Sequence, residues 1–318
     1  MDRKILIAAN VVVALVLAYW FLQGIGFAEV GSVLAQARLE FVVAGALFYA
    51  AMNVLNSFRI AWALGTPWRP ALFFKHMTAM LISDFTPGRA GYTSLVLKLR
   101  ADGFDSGAAI KALSVVFAAD FLGRALLAGV AVAFFAGKVG AEVFMVVAAV
   151  MLALGGGLFY LVAFRSSRLN RWLEKIPSVG TRLSIAYEHA LESKASAAFL
   201  LSNVALSLVG ALLRGVGWTF VFFALGLGGW DVLPTAILVS ALVTALSFVP
   251  LSLAGLGLQE GAGAYLFSVA ASGISLGEAA AVMLLARVME FGVDALTGWK
   301  ELLTDWRKKR HGALGDDQ

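Results

Sequence analysis

Phe248-Val249-Pro250-Leu251-Ser252-Leu253-Ala254-Gly255-Leu256-Gly257-Leu258-Gln259-Glu260-Gly261 interrupts one apolar run, and Phe85-Thr86-Pro87-Gly88-Arg89-Ala90-Gly91-Tyr92 interrupts another. Proline lacks a backbone N–H and glycine lacks a Cβ, so both stretches leave helical geometry. The limbs that lead into them, Pro70–Phe85 and Leu233–Val249, are apolar enough to lie inside a bilayer. Irregular backbone at that depth must be buried in protein or line a wet cavity. Pro87, Gly88, Gly91, Pro250, Gly255 and Gly257 therefore read as the breaks of two re-entrant helical hairpins, the alternative being plain loops between full spans.

Composition sets the same frame. Of 318 residues, 60% are hydrophobic and 14% are charged, against about 25% charged in a soluble domain. Mean hydropathy is +0.86. A soluble enzyme, a disordered tail and a disulfide scaffold are excluded. Cysteine is absent, and His76, His189 and His311 lie far apart, so neither thiol chemistry nor a metal site is expected. The fold class is an all-α polytopic membrane protein with about six full spans and two hairpins.

Beyond the limbs, apolar runs of spanning length cover Ile5–Leu22, Phe41–Trp62, Gly107–Ala136, Ala141–Phe164, Ala195–Gly226 and Gly277–Leu303. The first resembles a signal sequence at its start, but no small-x-small cleavage site follows, so it reads as a membrane helix. Basic residues cluster at Arg3-Lys4, at Arg59, Arg69 and Lys75, along 165–194 and at Arg307–Arg310. The opposite loops carry only Arg38 and Lys138 as basic residues. This asymmetry places both termini in the cytoplasm of a multi-pass cell-membrane protein. In 165–194, Leu169, Trp172, Leu173 and Ile176 alternate with arginines, the pattern of a helix lying in the cytoplasmic interface.

The halves resemble each other. Phe85-Thr86-Pro87 matches Phe248-Val249-Pro250; further on, Gly103, Gly107 and Ala109 match Gly273, Gly277 and Ala279, and Asp120-Phe121 matches Glu290-Phe291. Each half reads span, broken hairpin, Gly-x-x-x-Gly, then a span with a buried acid. Three crossings separate the copies, and an odd number inverts them. Inverted repeats with broken helices are a transporter design. The division is 1–40, an N-terminal membrane helix and loop; 41–164, the first repeat; 165–194, the linker; 195–303, the second repeat; and 304–318, a basic tail read as disordered from His311.

Ten ionisable residues fall within spans or breaks: Arg59, Asp84, Arg89, Asp120, Arg124, Arg214, Glu260, Arg287, Glu290 and Asp294. A single charge at the bilayer centre costs about 3 kcal/mol or more, so such residues face the interior and pair. Asp120 and Arg124 are four apart and suited to direct pairing, and Arg287, Glu290 and Asp294 share one helical face. Taken singly, each is as readily a structural ion pair as a functional group; ten together point to a polar cavity. Arginine holds phosphate bidentately, and the start of a half-helix adds N–H groups. Arg59, Arg89, Arg124, Arg214, Glu260 and Arg287 are thus the candidate substrate-binding residues, and Asp84, Asp120, Glu290 and Asp294 the charge network. Near span ends, Arg59 and Arg214 have snorkelling as an alternative. No Walker loop, HExxH or GxSxG occurs, so neither catalysis nor ATP use is expected.

The Thr86-Pro87-Gly88-Arg89-Ala90-Gly91 stretch and, more specifically, the Pro-x-Ser-x-x-Gly-x-Gly-x-x-Glu pattern from Pro250 to Glu260 resemble the lysylphosphatidylglycerol synthase transmembrane-region family, the flippase-like domain of multiple peptide resistance factors. The resemblance covers roughly Phe41–Leu303. Where the family's first motif often ends in Glu, this chain has Tyr92. The resemblance implies translocation of a phospholipid or polyprenyl-phosphate-linked lipid with a modified head group. Longer members add a synthase domain; this chain stops at Gln318, so aminoacyl transfer is not expected. The expected partners are membrane lipids with an anionic phosphate head, with a homodimer and a separately encoded lipid-modifying enzyme as further candidates. No nucleic acid or cofactor is expected. Two rival readings are a secondary transporter of a soluble solute, coupled through Asp120 or Glu290, and a non-transporting partner of a membrane glycosyltransferase.

Overall fold

A computed structural model of the chain describes residues 27–86, 89–135, 137, 145, 148–157, 197–247, 255 and 257–315, with side chains described up to residue 303 in the last segment. All regular structure among them is helical. In chain order the helices are α1 (Phe27–Leu34), α2 (Leu39–Ala63), α3 (Pro70–Asp84), a 3₁₀ turn (Ala90–Thr93), α4 (Ser94–Ala101), α5 (Ser106–Phe134), α6 (Ala148–Gly157), α7 (Ala197–Ala224), α8 (Leu233–Leu246), α9 (Leu258–Ala270) and α10 (Leu276–Gly315). Three of the described helices, α2, α5 and α7, are long and apolar enough to cross a membrane. The expected helix at Ile5–Leu22, the linker 165–194, and the breaks Pro87, Gly88 and Pro250 lie outside the described residues.

The bounds of α2, α3, α5, α7 and α8 follow the apolar runs to within three residues. α3 and α8 each carry a proline in their first turn, where its missing N–H has no intrahelical partner to lose. Both interrupted stretches do leave the helix. α3 ends at Asp84, Arg89 adopts a left-handed conformation, α8 ends at Leu246, and the next described helix begins at Leu258. At the tail, α10 runs on to Gly315, whereas 304–318 reads from sequence as partly disordered. Glu301-Leu302-Leu303 and the Arg/Lys run are good helix formers, so nothing ends the helix at His311.

Helix lengths can be compared along the two parts of the chain. α2–α5 have 25, 15, 8 and 29 residues, and α7–α10 have 28, 14, 13 and 40. Gly103 and Gly273, with φ of 90° and 78°, turn the chain into α5 and α10. Asp120 and Glu290 then fall at the same place, 14 residues beyond the first residue of their helices, Ser106 and Leu276.

The most extensive helix contact is between α2 and α7. The two run antiparallel. Arg38 N–H donates to the Ala224 carbonyl at 2.8 Å, Gly45 abuts Gly217, Met52 abuts Gly210, and Arg59 Nε donates to Asn203 Oδ1 at 3.4 Å. Contacts thus step seven residues at a time along both helices in opposite directions, the seam of a coiled-coil-like pair. α5 and α8 pack against α7, while α10 packs against α3 and α9. Gly298 lies against the Met77–Thr78 backbone of α3, and its carbonyl accepts from the Thr78 hydroxyl at 2.9 Å.

Candidate functional site

Antiparallel α2 and α7 bring Arg59 and Arg214 to different levels of one interior, and α5 and α10 set an acid beside each. Arg59 is 1% exposed. Its Nη1 donates to Asp120 Oδ1 at 2.7 Å and to Asn56 Oδ1 at 3.0 Å, and Nη2 donates to the Val116 carbonyl at 3.3 Å. The Ser207 hydroxyl of α7 also donates to Asp120 Oδ1, at 2.7 Å. Asp120 thus binds an arginine 61 positions away, and Arg124 on its own helix stands near it and adds its positive field. Snorkelling is excluded for Arg59 by its burial.

Arg214 grips Glu290 with two nitrogens, Nε donating to Oε1 at 2.8 Å and Nη2 to Oε2. Trp218 Nε1 donates to the same Oε1 at 2.8 Å. The guanidinium also sits 5.8 Å from the Tyr49 ring centre and 5.7 Å from that of Trp218, within cation–π range. The two ion pairs are alike in plan: each joins the first long helix of a half to the last.

The face shared by Arg287, Glu290 and Asp294 points inward as its spacing requires, but its members meet three different helices. Arg287 Nε lies 3.8 Å from Glu260 Oε1 on α9. Glu290 meets Arg214 on α7. Asp294 Oδ2 accepts from the Tyr49 hydroxyl on α2 at 3.2 Å. Asp84, at the end of α3, has Arg89, Arg287 and the Asp294 carboxyl as neighbours.

Glu260 has a structural contact within its own turn. Its Oε2 accepts the Gly257 N–H at 2.7 Å, so it caps the first turn of α9. Gly255 and Gly257 have φ of 79° and 84°, which only glycine adopts easily. The Gly-x-Gly-x-x-Glu spacing thus encodes a turn and the cap that closes it. The N–H of Gly257, the residue just before α9, is filled by the chain's own carboxylate and is not open to a phosphate. At the other break, Gly91 is packed so closely that a Cβ would lie 2.6 Å from the Ile82 carbonyl group.

A polar group missed from sequence lies between these pairs. His76 is 2% exposed. Asn53 Nδ2 donates to the Tyr49 carbonyl at 3.1 Å, which turns its amide oxygen toward His76 Nε2, 3.1 Å away. His76 Nδ1 lies 2.8 Å from the Tyr92 hydroxyl. In the neutral ring, Nε2–H donates to Asn53 and Nδ1 accepts from Tyr92. The sequence weighed His76 only as a metal ligand; among the described residues no acid, His or Cys cluster of metal-binding size forms.

Two adjoining cavities occupy the centre. One, about 50 Å³, is lined by Arg59, Asp120, Arg124, Ser207 and Arg214. The other, about 70 Å³, is lined by Tyr49, His76, Arg89, Tyr92 and, in common with the first, Asp120, Arg124 and Arg214. Each has room for a few waters, since one needs roughly 10–15 Å³. Four predicted arginines thus line one interior; Arg287 and Glu260 do not line either cavity.

The family profile of the lysylphosphatidylglycerol synthase TM region matches residues 7–298. The chain belongs to this family. A search of curated proteins returned no match. Membership in the lysylphosphatidylglycerol synthase TM-region family, with the long apolar helices, establishes a helical membrane protein and ties it to lipid-related function.

Proposed function

We propose that the protein moves a lipid with an anionic phosphate in its head group between the leaflets of the cell membrane, as a multi-pass translocase without catalytic or ATP-hydrolysing chemistry. The observation that carries this reading is the convergence of Arg59, Arg89, Arg124 and Arg214, from separate helices and one turn, on a common wet interior. Fixed guanidiniums there compensate a phosphate that would otherwise be costly to bring into hydrocarbon. The matched helix order, the two interruptions and the equal placing of Asp120 and Glu290 support two inverted copies with re-entrant hairpins.

The cavities are too small for a head group, so in this reading the structure is an occluded state. The head enters when the α3–α4 limb or the α8–α9 limb moves, while acyl or prenyl tails stay in the bilayer. Arg89 is the contact most open to cargo: it lines the larger cavity and its Nε is buried without a hydrogen-bond partner among the described residues.

The test is reconstitution of the purified chain in vesicles with fluorescent lipids of several head groups. Protein-dependent loss of protection from an external quencher is expected for at least one phosphate-bearing lipid; its absence for all would end the proposal. Arg89→Gly separates function from folding, because glycine accepts the φ of 56° that Arg89 adopts. It is expected to stay folded, as read by a single size-exclusion peak in detergent, and to lose translocation. The tight engagement of Arg59 and Arg214 favours the rival reading of a non-transporting partner subunit, under which Arg89→Gly changes nothing in the vesicle assay.

A further inference from the structure

The charge count differs between the two parts of the interior. Around Arg59 and Arg124 there is one acid, Asp120. Around Arg89, Arg214 and Arg287 there are four: Asp84, Glu260, Glu290 and Asp294. Glu290 is held by Arg214, and Glu260 by the Gly257 N–H with Arg287 beyond it. Asp84 and Asp294 remain, with one surplus negative charge in their surroundings when all groups are ionised.

Their geometry is specific. Asp294 is 2% exposed; Oδ2 accepts from Tyr49, and the buried Oδ1 has no hydrogen-bond partner among the described residues. The end of α3 lies against this part of α10, with the Phe85 ring edge-on to that of Phe291, and the Asp84 carboxyl is a neighbour of the Asp294 carboxyl. Ionised carboxylates only accept, so two facing each other repel unless a positive particle sits between them. Asp84 is also the last residue of α3, where helix carbonyls add negative potential. The charged and titratable groups facing the pair are Arg89 from the turn, Arg287 and Glu290 from α10, Tyr49 from α2, and Arg214 from α7, which is already engaged by Glu290.

We propose that Asp84 and Asp294 together hold one small monovalent cation, a shared proton or a sodium ion, between the end of α3 and the middle of α10. Occupancy cancels the surplus charge and keeps the α3 end seated on α10. Release lets the two carboxylates repel and frees the turn that carries Arg89. Use of this cation to drive lipid movement rests on the translocase reading; its binding does not.

The experiment therefore measures binding. Melting of the purified full chain in detergent is followed against pH at fixed sodium, and against sodium exchanged for choline at fixed pH and ionic strength. A ligand of the folded state raises the melting temperature. Wild type is expected to gain stability as pH falls, for a proton, or as sodium replaces choline, for sodium. Asp294→Asn supplies a neutral amide donor toward Asp84, so it is expected to lose that dependence and melt like the loaded wild type. Asp84→Asn tests the same point from the other side should the first variant fail to fold. Infrared difference spectra of wild type add a reading without mutation: a protonated carboxyl band is expected for a proton, and a sodium-induced carboxylate shift for sodium. Indifference of wild type to both cations with neither infrared signal, or dependence that survives in both variants, overturns the proposal. None of these readouts involves lipid transport, so failure of the translocase reading is separately visible.

Discussion

Gly45 and Gly217 meet backbone to backbone: a Cβ on Gly45 would lie 2.8 Å from the Gly217 carbonyl oxygen, and one on Gly217 would lie 3.0 Å from that of Gly45. The antiparallel α2–α7 seam closes on this contact. Overpacking of this kind costs about 1–3 kcal/mol. Gly45→Ala is expected to lower the melting temperature in detergent. Gly31→Ala in α1 meets nothing within 4 Å and is expected to hold or raise it, since alanine favours helix by up to about 1 kcal/mol. Equal effects at both sites would remove the seam from the account of stability.

The Arg214–Glu290 pair predicts non-additivity. Removing one partner strands a buried charge, at a cost of about 3–5 kcal/mol. Arg214→Leu and Glu290→Leu are each expected to destabilise strongly, and the double variant to recover most of the loss. A double-mutant cycle on melting checks this, and simple addition of the two losses would contradict it.

Glu260 predicts a graded series. Glutamine keeps an acceptor for the Gly257 N–H, whereas alanine removes it, at a typical loss of about 1 kcal/mol for a cap. Glu260→Gln is expected to stay near wild type in melting and Glu260→Ala to fall below it. The reverse order would mean that charge toward Arg287, and not capping, is its contribution.

Tyr92→Phe removes the hydroxyl that His76 Nδ1 faces at 2.8 Å. A buried group left without its partner costs about 1–3 kcal/mol. Lower stability is expected, with amide exchange along α3 faster around His76. Unchanged exchange there would show that water takes over the contact.

The sequence showed the elements better than the partners. The run Phe41–Trp62 predicts Leu39–Ala63 because apolar length and the bilayer set both. The inward face of Arg287, Glu290 and Asp294 was legible from helical period alone. Spacing along one helix does not say which helix lies opposite, so Arg124 was legible as a neighbour of Asp120 and Arg59 was not. Glu260 was readable in principle, since an acid three residues after a glycine break is a capping signal. The Asn53–His76–Tyr92 chain was not, because its members are separated by 23 and 16 positions with no period linking them.

The interior holds five acids and five bases among the ten ionisable groups first counted. With all of them ionised, the ten groups sum to no net charge. One captured cation alters that, adding about 2.3 kcal/mol of electrical work per 100 mV for a full crossing. Cells with a strong resting potential would therefore bias the loaded form inward and leave the empty form to return unaided.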